Sequence, residues 1–90
     1  MTMIRRRVVV HGRVQGVGFR YACEVQAGRL GVGGRVRNLD DGTVEAVVEG
    51  DDVAVDALIA WLHQGPRHAE VTRVEVHDEE PEGLSGFVAE

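Results

Sequence analysis

Lysine is missing from this sequence; every one of its ten Lys-or-Arg positions is an arginine. That excludes the phosphate-binding loop that ends in a Gly-Lys-Ser/Thr triplet. There is one cysteine, Cys23, so no intrachain disulfide can form, and a reducing, cytoplasmic setting is expected. Aromatic residues make up 4% of the chain, and the strand-like runs hold almost none, so the sheet-face stacking platform of an RNA-binding domain is lacking. No apolar run reaches the ~20 residues of a membrane span, and the most apolar helical candidate is broken by Asp56. The start, MTMIRRR, leads into a strand-like run and not into the apolar core of a signal peptide. The sole serine, Ser85, lies in G-L-S-G, which is not a nucleophile elbow. Length allows one domain, residues 1–90, with a small core.

What is present is unevenly spread. Residues 1–38 carry eight arginines and one acid, Glu24, for a charge of +7; residues 39–90 carry two arginines and fourteen acids, for −12, which sums to the net −5. A net acidic chain is a poor general binder of nucleic acid. A local positive field within it suits a small anion. The competing reading for Arg5, Arg6, Arg7 and Arg29 is a solvated surface.

The element pattern is regular. Ile4–Arg13 reads as a strand, with Val8, Val9 and Val10. Phe19–Leu30 reads as a helix with an apolar stripe of Phe19, Ala22, Cys23, Ala27 and Leu30, stopped by Gly31. Gly34–Asn38 is a short strand, Leu39–Gly42 a turn, and Thr43–Glu49 a strand with Val44, Ala46 and Val48 on one face. Asp51 is placed to cap a second helix, Asp52–Gln64, with a core stripe of Ala54, Ala57, Leu58, Trp61 and Leu62, ended by Gly65-Pro66. Ala69–His77 is a strand, Asp78–Gly83 an acidic loop, and Gly86–Glu90 a short edge strand. The order β-α-β-β-α-β with a short extra C-terminal strand predicts an α+β, ferredoxin-like sandwich. Its sheet is mainly antiparallel, with two helices on one face. Such a fold says little about function.

The stretch HGRVQGVGFRY, residues 11–21, joins the first strand to the first helix. Amides at a helix start have no intrahelical partner and can converge on an anion. Gly16 and Gly18 permit the positive φ that turns several amides inward. Arg20, in the first helical turn, has the planar fork that grips two phosphoryl oxygens. The stretch Val14, Gln15, Gly16, Val17, Gly18, Phe19 and Arg20 is therefore readable as a cradle for one phosphoryl group. It is also readable as a Gly-rich turn with no ligand. The dinucleotide fingerprint fails, because Tyr21 stands where its third glycine would be.

The run V-x-G-x-V-Q-G-V-G-F-R, Val10 to Arg20, resembles the signature of the acylphosphatase family. A second run, G-x-V-R-N-x-x-D-G-x-V-E, Gly34 to Glu45, resembles that family's other signature, and the resemblance extends over almost the whole chain. It implies hydrolysis of the carboxyl–phosphate bond of acyl phosphates, with a small acyl phosphate and inorganic phosphate as partners and no cofactor. It also implies that Arg20 is the phosphate-binding arginine and Asn38 the residue that positions water. The sequence departs from the family pattern at Arg35, where an aromatic is frequent, and at its FVAE finish.

The chemistry agrees with so sparse a site. A carboxylate leaves without a proton, because its conjugate acid has a pKa of about 4–5. No general acid is required, and phosphoryl transfer rests on positioning and charge stabilisation. Val36 and Asn38 share one strand face, and Arg37 points to the other. His11, His63, His68 and His77 do not form a ligand set, and no metal site is expected. Cys23, Trp61 and Phe87 read as core residues. The alternative to a monomeric, metal-independent enzyme is a non-catalytic phosphate-binding or regulatory module. Similar domains are fused to larger carbamoyl-transfer proteins of hydrogenase maturation.

Overall fold

The computed structural model describes residues 2–90. The elements are β1 (Met3–Arg13), α1 (Phe19–Leu30), β2 (Gly33–Asn38), β3 (Val44–Asp51), α2 (Asp52–Leu62), β4 (Glu70–Glu79) and β5 (Phe87–Ala89). The sheet order is β4-β1-β3-β2-β5. β1 runs antiparallel to β3 and β4, β2 antiparallel to β3, and β5 parallel to β2. This is the ferredoxin-like sandwich, with the extra strand added at the β2 edge.

Alternation along the strands divides the sheet into two faces. Val8 and Val10 of β1, Val36 of β2, and Val44, Ala46 and Val48 of β3 meet Phe19, Cys23 and Ala27 of α1 and Val55, Leu58 and Leu62 of α2 in one buried cluster. Phe19 and Trp61 join the two helices, with ring centroids 5.5 Å apart. The β1–β4 register shifts between His11 and Gly12, and Thr72 is the extra residue. That shift changes the parity of β4, so Val71 and Val74, three residues apart, both pack against the cluster.

The other face carries charge. Arg5 is 5% exposed and pairs with Glu49, Glu79 and Glu82. Arg7 and Arg37 both reach Glu45. Asp78 and Glu79 lie opposite Arg6 and Arg5 in register, so β4 runs on to Glu79 where a loop is predicted from Asp78. Four of the eight arginines of the first half, Arg5, Arg6, Arg7 and Arg37, are thus paired with acids of the second half. Arg5 and Arg7 are structural and not part of a field aimed at a ligand.

Three details of α2 differ from the sequence expectation. Ala57 is exposed, and Val55 takes its place in the buried stripe. β3 runs straight into α2, and its direction sets the helix rotation by a fraction of a turn that periodicity alone leaves open. Asp51 occupies the cap position, yet its side chain caps nothing, because it is still paired in the sheet opposite Met3. Asp52 instead accepts from the Val53 amide, and its own amide donates to the Thr2 carbonyl. The regular helix ends at Leu62, two residues before the predicted Gln64, in a turn closed by the Gly65 amide on the Trp61 carbonyl.

Candidate functional site

The chain leaves β1 at Arg13 and enters α1 at Phe19 through a five-residue loop. Both ends of that loop are anchored: Val14 is 1% exposed and Phe19 is 2% exposed. Gly16 and Gly18 have φ of 73° and 77°, the left-handed conformation the cradle needs. A Cβ at either position would meet no atom within 4 Å, so it is the backbone angle and not space that calls for glycine. Gly18 is the N-cap of α1, which brings the free amides of the first turn up to the loop.

Phe19 points into the core, so Arg20 points out, beside the loop. Its Nη1 donates to the main-chain oxygen of Glu90. One edge of the guanidinium is thereby held, and its other donors remain for a ligand. Gln15 turns away from the loop's concavity. Its Nε2 donates to the carbonyls of Leu39 and Thr43, at 2.8 and 3.0 Å. These carbonyls flank the turn that follows Asn38. Asp41 closes that turn by accepting from the Thr43 amide and hydroxyl, and the hydroxyl contact above all holds its carboxyl below the usual carboxylate range.

A cleft of about 330 Å³ opens over this loop. Val14, Gly16, Gly18, Phe19 and Arg20 line it on one side, and Asn38, from the end of β2, joins them. Gln15 and Val17 of the predicted cradle do not line it; Val17 packs on the core instead. Tyr21, Glu24, Ala89 and Glu90 complete the wall and were not singled out from the sequence. Tyr21 and Glu24 had a findable signal, since both share the exposed side of α1 with Arg20. Ala89 and Glu90 had none, because they arrive from the far end of the chain.

A buried carboxylate delivers them. Glu49, 1% exposed, accepts from the amides of Glu82, Gly83 and Leu84. Burial alone pushes its pKa up, but these amides and Arg5 outweigh that and hold it below the usual range. The segment fixed in this way leads into β5. There the Gly34 amide donates to Gly86 and the Glu90 amide to Val36, at 2.9 and 2.8 Å. The FVAE segment therefore forms its strand through these backbone bonds, without the basic or aromatic finish of the family pattern.

Cys23 is fully buried, and burial raises its thiol to about 12, with Glu24 adding to the shift. It is a core thiol. Among the described residues, no three His, Cys, Asp or Glu side chains come together as a metal ligand set, and no helix is long and apolar enough to cross a membrane.

Residues 6–89 match the family model described as Acylphosphatase. An acylphosphatase of Thermococcus kodakarensis is 62% identical over 87 residues, covering 97% of this chain and 96% of that protein. One of Pseudomonas aeruginosa is 53% identical over 88 residues, covering 98% and 97%. The crystal structure of acylphosphatase from Bacillus subtilis superposes with a TM-score of 0.92 at 36% identity, covering 96% of this chain and 97% of that one.

Proposed function

The chain belongs to the acylphosphatase family and hydrolyses acyl phosphates, and from that premise we propose how its own residues carry the reaction. The amides that the loop turns toward the cleft, from among Val14, Gly16, Gly18, Phe19 and Arg20, and the Arg20 fork hold the non-bridging oxygens of the phosphoryl group. Asn38 positions a water in line with the bond that breaks. The water oxygen attacks phosphorus, and the phosphorus–oxygen bond to the acyl group breaks. The electron pair leaves on the carboxylate, and the proton released by the water ends on the product phosphate. A neutral amide suits the position of Asn38, because a carboxylate there would repel the phosphoryl group. The observation that carries the reading is the meeting of the left-handed Gly16–Gly18 loop, Arg20 and Asn38 in one cleft. Relatives that match over nearly their whole length are named acylphosphatases, so a non-catalytic module is not favoured.

The same reading makes the protein a cytoplasmic monomer that works without metal and without a nucleic-acid partner. The helix-free sheet face supports the last point: among the described residues it carries paired Arg5, Arg7, Arg37, Glu45 and Glu49, with no Phe, Tyr or Trp on which a base would stack.

Asn38 separates binding from chemistry. In Asn38→Ala, kcat falls by about 10²–10³, the effect of removing one preorganised polar group, while phosphate inhibition changes little. In Asn38→Asp both suffer, since two unit charges ~5 Å apart at an effective dielectric near 20 repel by about 3 kcal/mol. Steady-state kinetics with benzoyl phosphate, with phosphate as inhibitor, measures both. An unchanged kcat in the alanine variant overturns the water assignment; lost phosphate inhibition moves Asn38 into the cradle.

A further inference from the structure

The cleft, about 330 Å³, is larger than a phosphoryl group needs, and the wall beside Arg20 has a chemistry of its own. Arg20 and Glu24 are four residues apart on α1 and so share one face, about 6 Å apart. Glu24 lines the cleft, and its one protein hydrogen bond there is a long one, 3.4 Å, from the Ala89 amide. No arginine or histidine lies within ion-pair distance of it among the described residues, and the same holds for the Glu90 side chain at the rim of the cleft. Tyr21 lines the same wall with 71% of its surface exposed. In-line attack places the leaving oxygen on the side of phosphorus opposite the water. With the water at Asn38 on the sheet side, the acyl group leaves toward the helix side, where Tyr21 and Glu24 stand.

We propose that Tyr21 and Glu24 form the acyl subsite and select acyl phosphates whose acyl group is apolar and carries no second negative charge. This rests on the assignment of the phosphoryl group to Arg20 and the cradle. The tyrosine ring supplies an apolar face for a flat acyl group. The unpaired Glu24 carboxylate repels an anionic substituent at the far end of the substrate. A like-charge pair ~6 Å apart, at an effective dielectric of roughly 20–40, discriminates by about 10- to 100-fold.

The test compares substrates within each protein. Wild type, Glu24→Gln and Tyr21→Ala are assayed with benzoyl phosphate, 4-carboxybenzoyl phosphate and acetyl phosphate, and the phosphate inhibition constant is measured for each. The benzoyl-to-carboxybenzoyl ratio of kcat/KM is about 10 to 100 in wild type and falls at least fivefold in Glu24→Gln, whose amide still accepts from Ala89. The benzoyl-to-acetyl ratio falls at least threefold in Tyr21→Ala. If either ratio is the same in wild type and variant, the subsite is overturned. Failure of the cradle assignment is read separately, as phosphate inhibition that survives intact in Arg20→Ala.

Discussion

Arg20 carries five N–H donors in a fixed fork, and the Glu90 carbonyl takes one of them. Four remain, among them a flat, aimed pair for the phosphoryl oxygens, and not a mobile charge. Arg20→Lys keeps the charge and loses the pair. Its kcat/KM with benzoyl phosphate falls by about 10³ or more, close to the loss in Arg20→Ala, by analogy with other arginines that stabilise transferring phosphoryl groups. Near-normal turnover in the lysine variant would reduce Arg20 to bulk charge. Cys23 gives a second residue-scale prediction. Its thiol ordinarily titrates near 9.0 and is raised to about 12 by burial. Above pH 9 the unfolded chain therefore binds fewer protons than the folded one, and stability falls as pH rises toward 12. The slope is at most about 1.4 kcal/mol per pH unit. The absence of lysine leaves few other groups titrating there. Urea melts from pH 8 to 11 show the decline in wild type and a flatter line in Cys23→Ala.

At the scale of elements, Gln15 ties the cradle loop to the turn that ends β2. Two hydrogen bonds, each contributing about 0.5–1.5 kcal/mol, fix the loop relative to Asn38. Gln15→Leu removes both. Stability drops by about 1–3 kcal/mol in urea melts, and kcat falls by more than the phosphate inhibition constant rises, because the cradle amides stay and the water is misplaced. An equal change in the two would show that Gln15 shapes the cradle alone. The cradle itself was legible because its parts are contiguous: a β-rich run, two glycines able to take positive φ, and an arginine in the first helical turn. Asn38 was tied to it only through the family resemblance, since nothing local says that residue 38 meets residue 20. Element order and strand faces were legible from alternation. The buried face of α2 was missed by a fraction of a turn, because strand β3 sets its rotation. The end of β4 was missed because Asp78 and Glu79 read as loop residues until Arg6 and Arg5 stand opposite them.

For the whole molecule, the uneven charge of the sequence has a structural outcome. The arginine-rich first half and the acidic second half meet across β1, β3 and β4 and neutralise each other on the helix-free face. In our proposal the cradle and Arg20 are then an anion site built from local geometry, in a protein whose net charge would repel anions. Phosphate binding to the folded state alone stabilises it by about 2.7 kcal/mol at a hundredfold excess over Kd. The most direct test of the account is benzoyl phosphate hydrolysis by purified protein in EDTA, with rising inorganic phosphate and a parallel thermal melt. The account predicts that turnover persists in EDTA, that phosphate inhibits competitively, and that Tm rises over the same phosphate range at constant ionic strength. Turnover that EDTA abolishes and a divalent cation restores, or phosphate that changes neither rate nor Tm up to tens of millimolar, would contradict it.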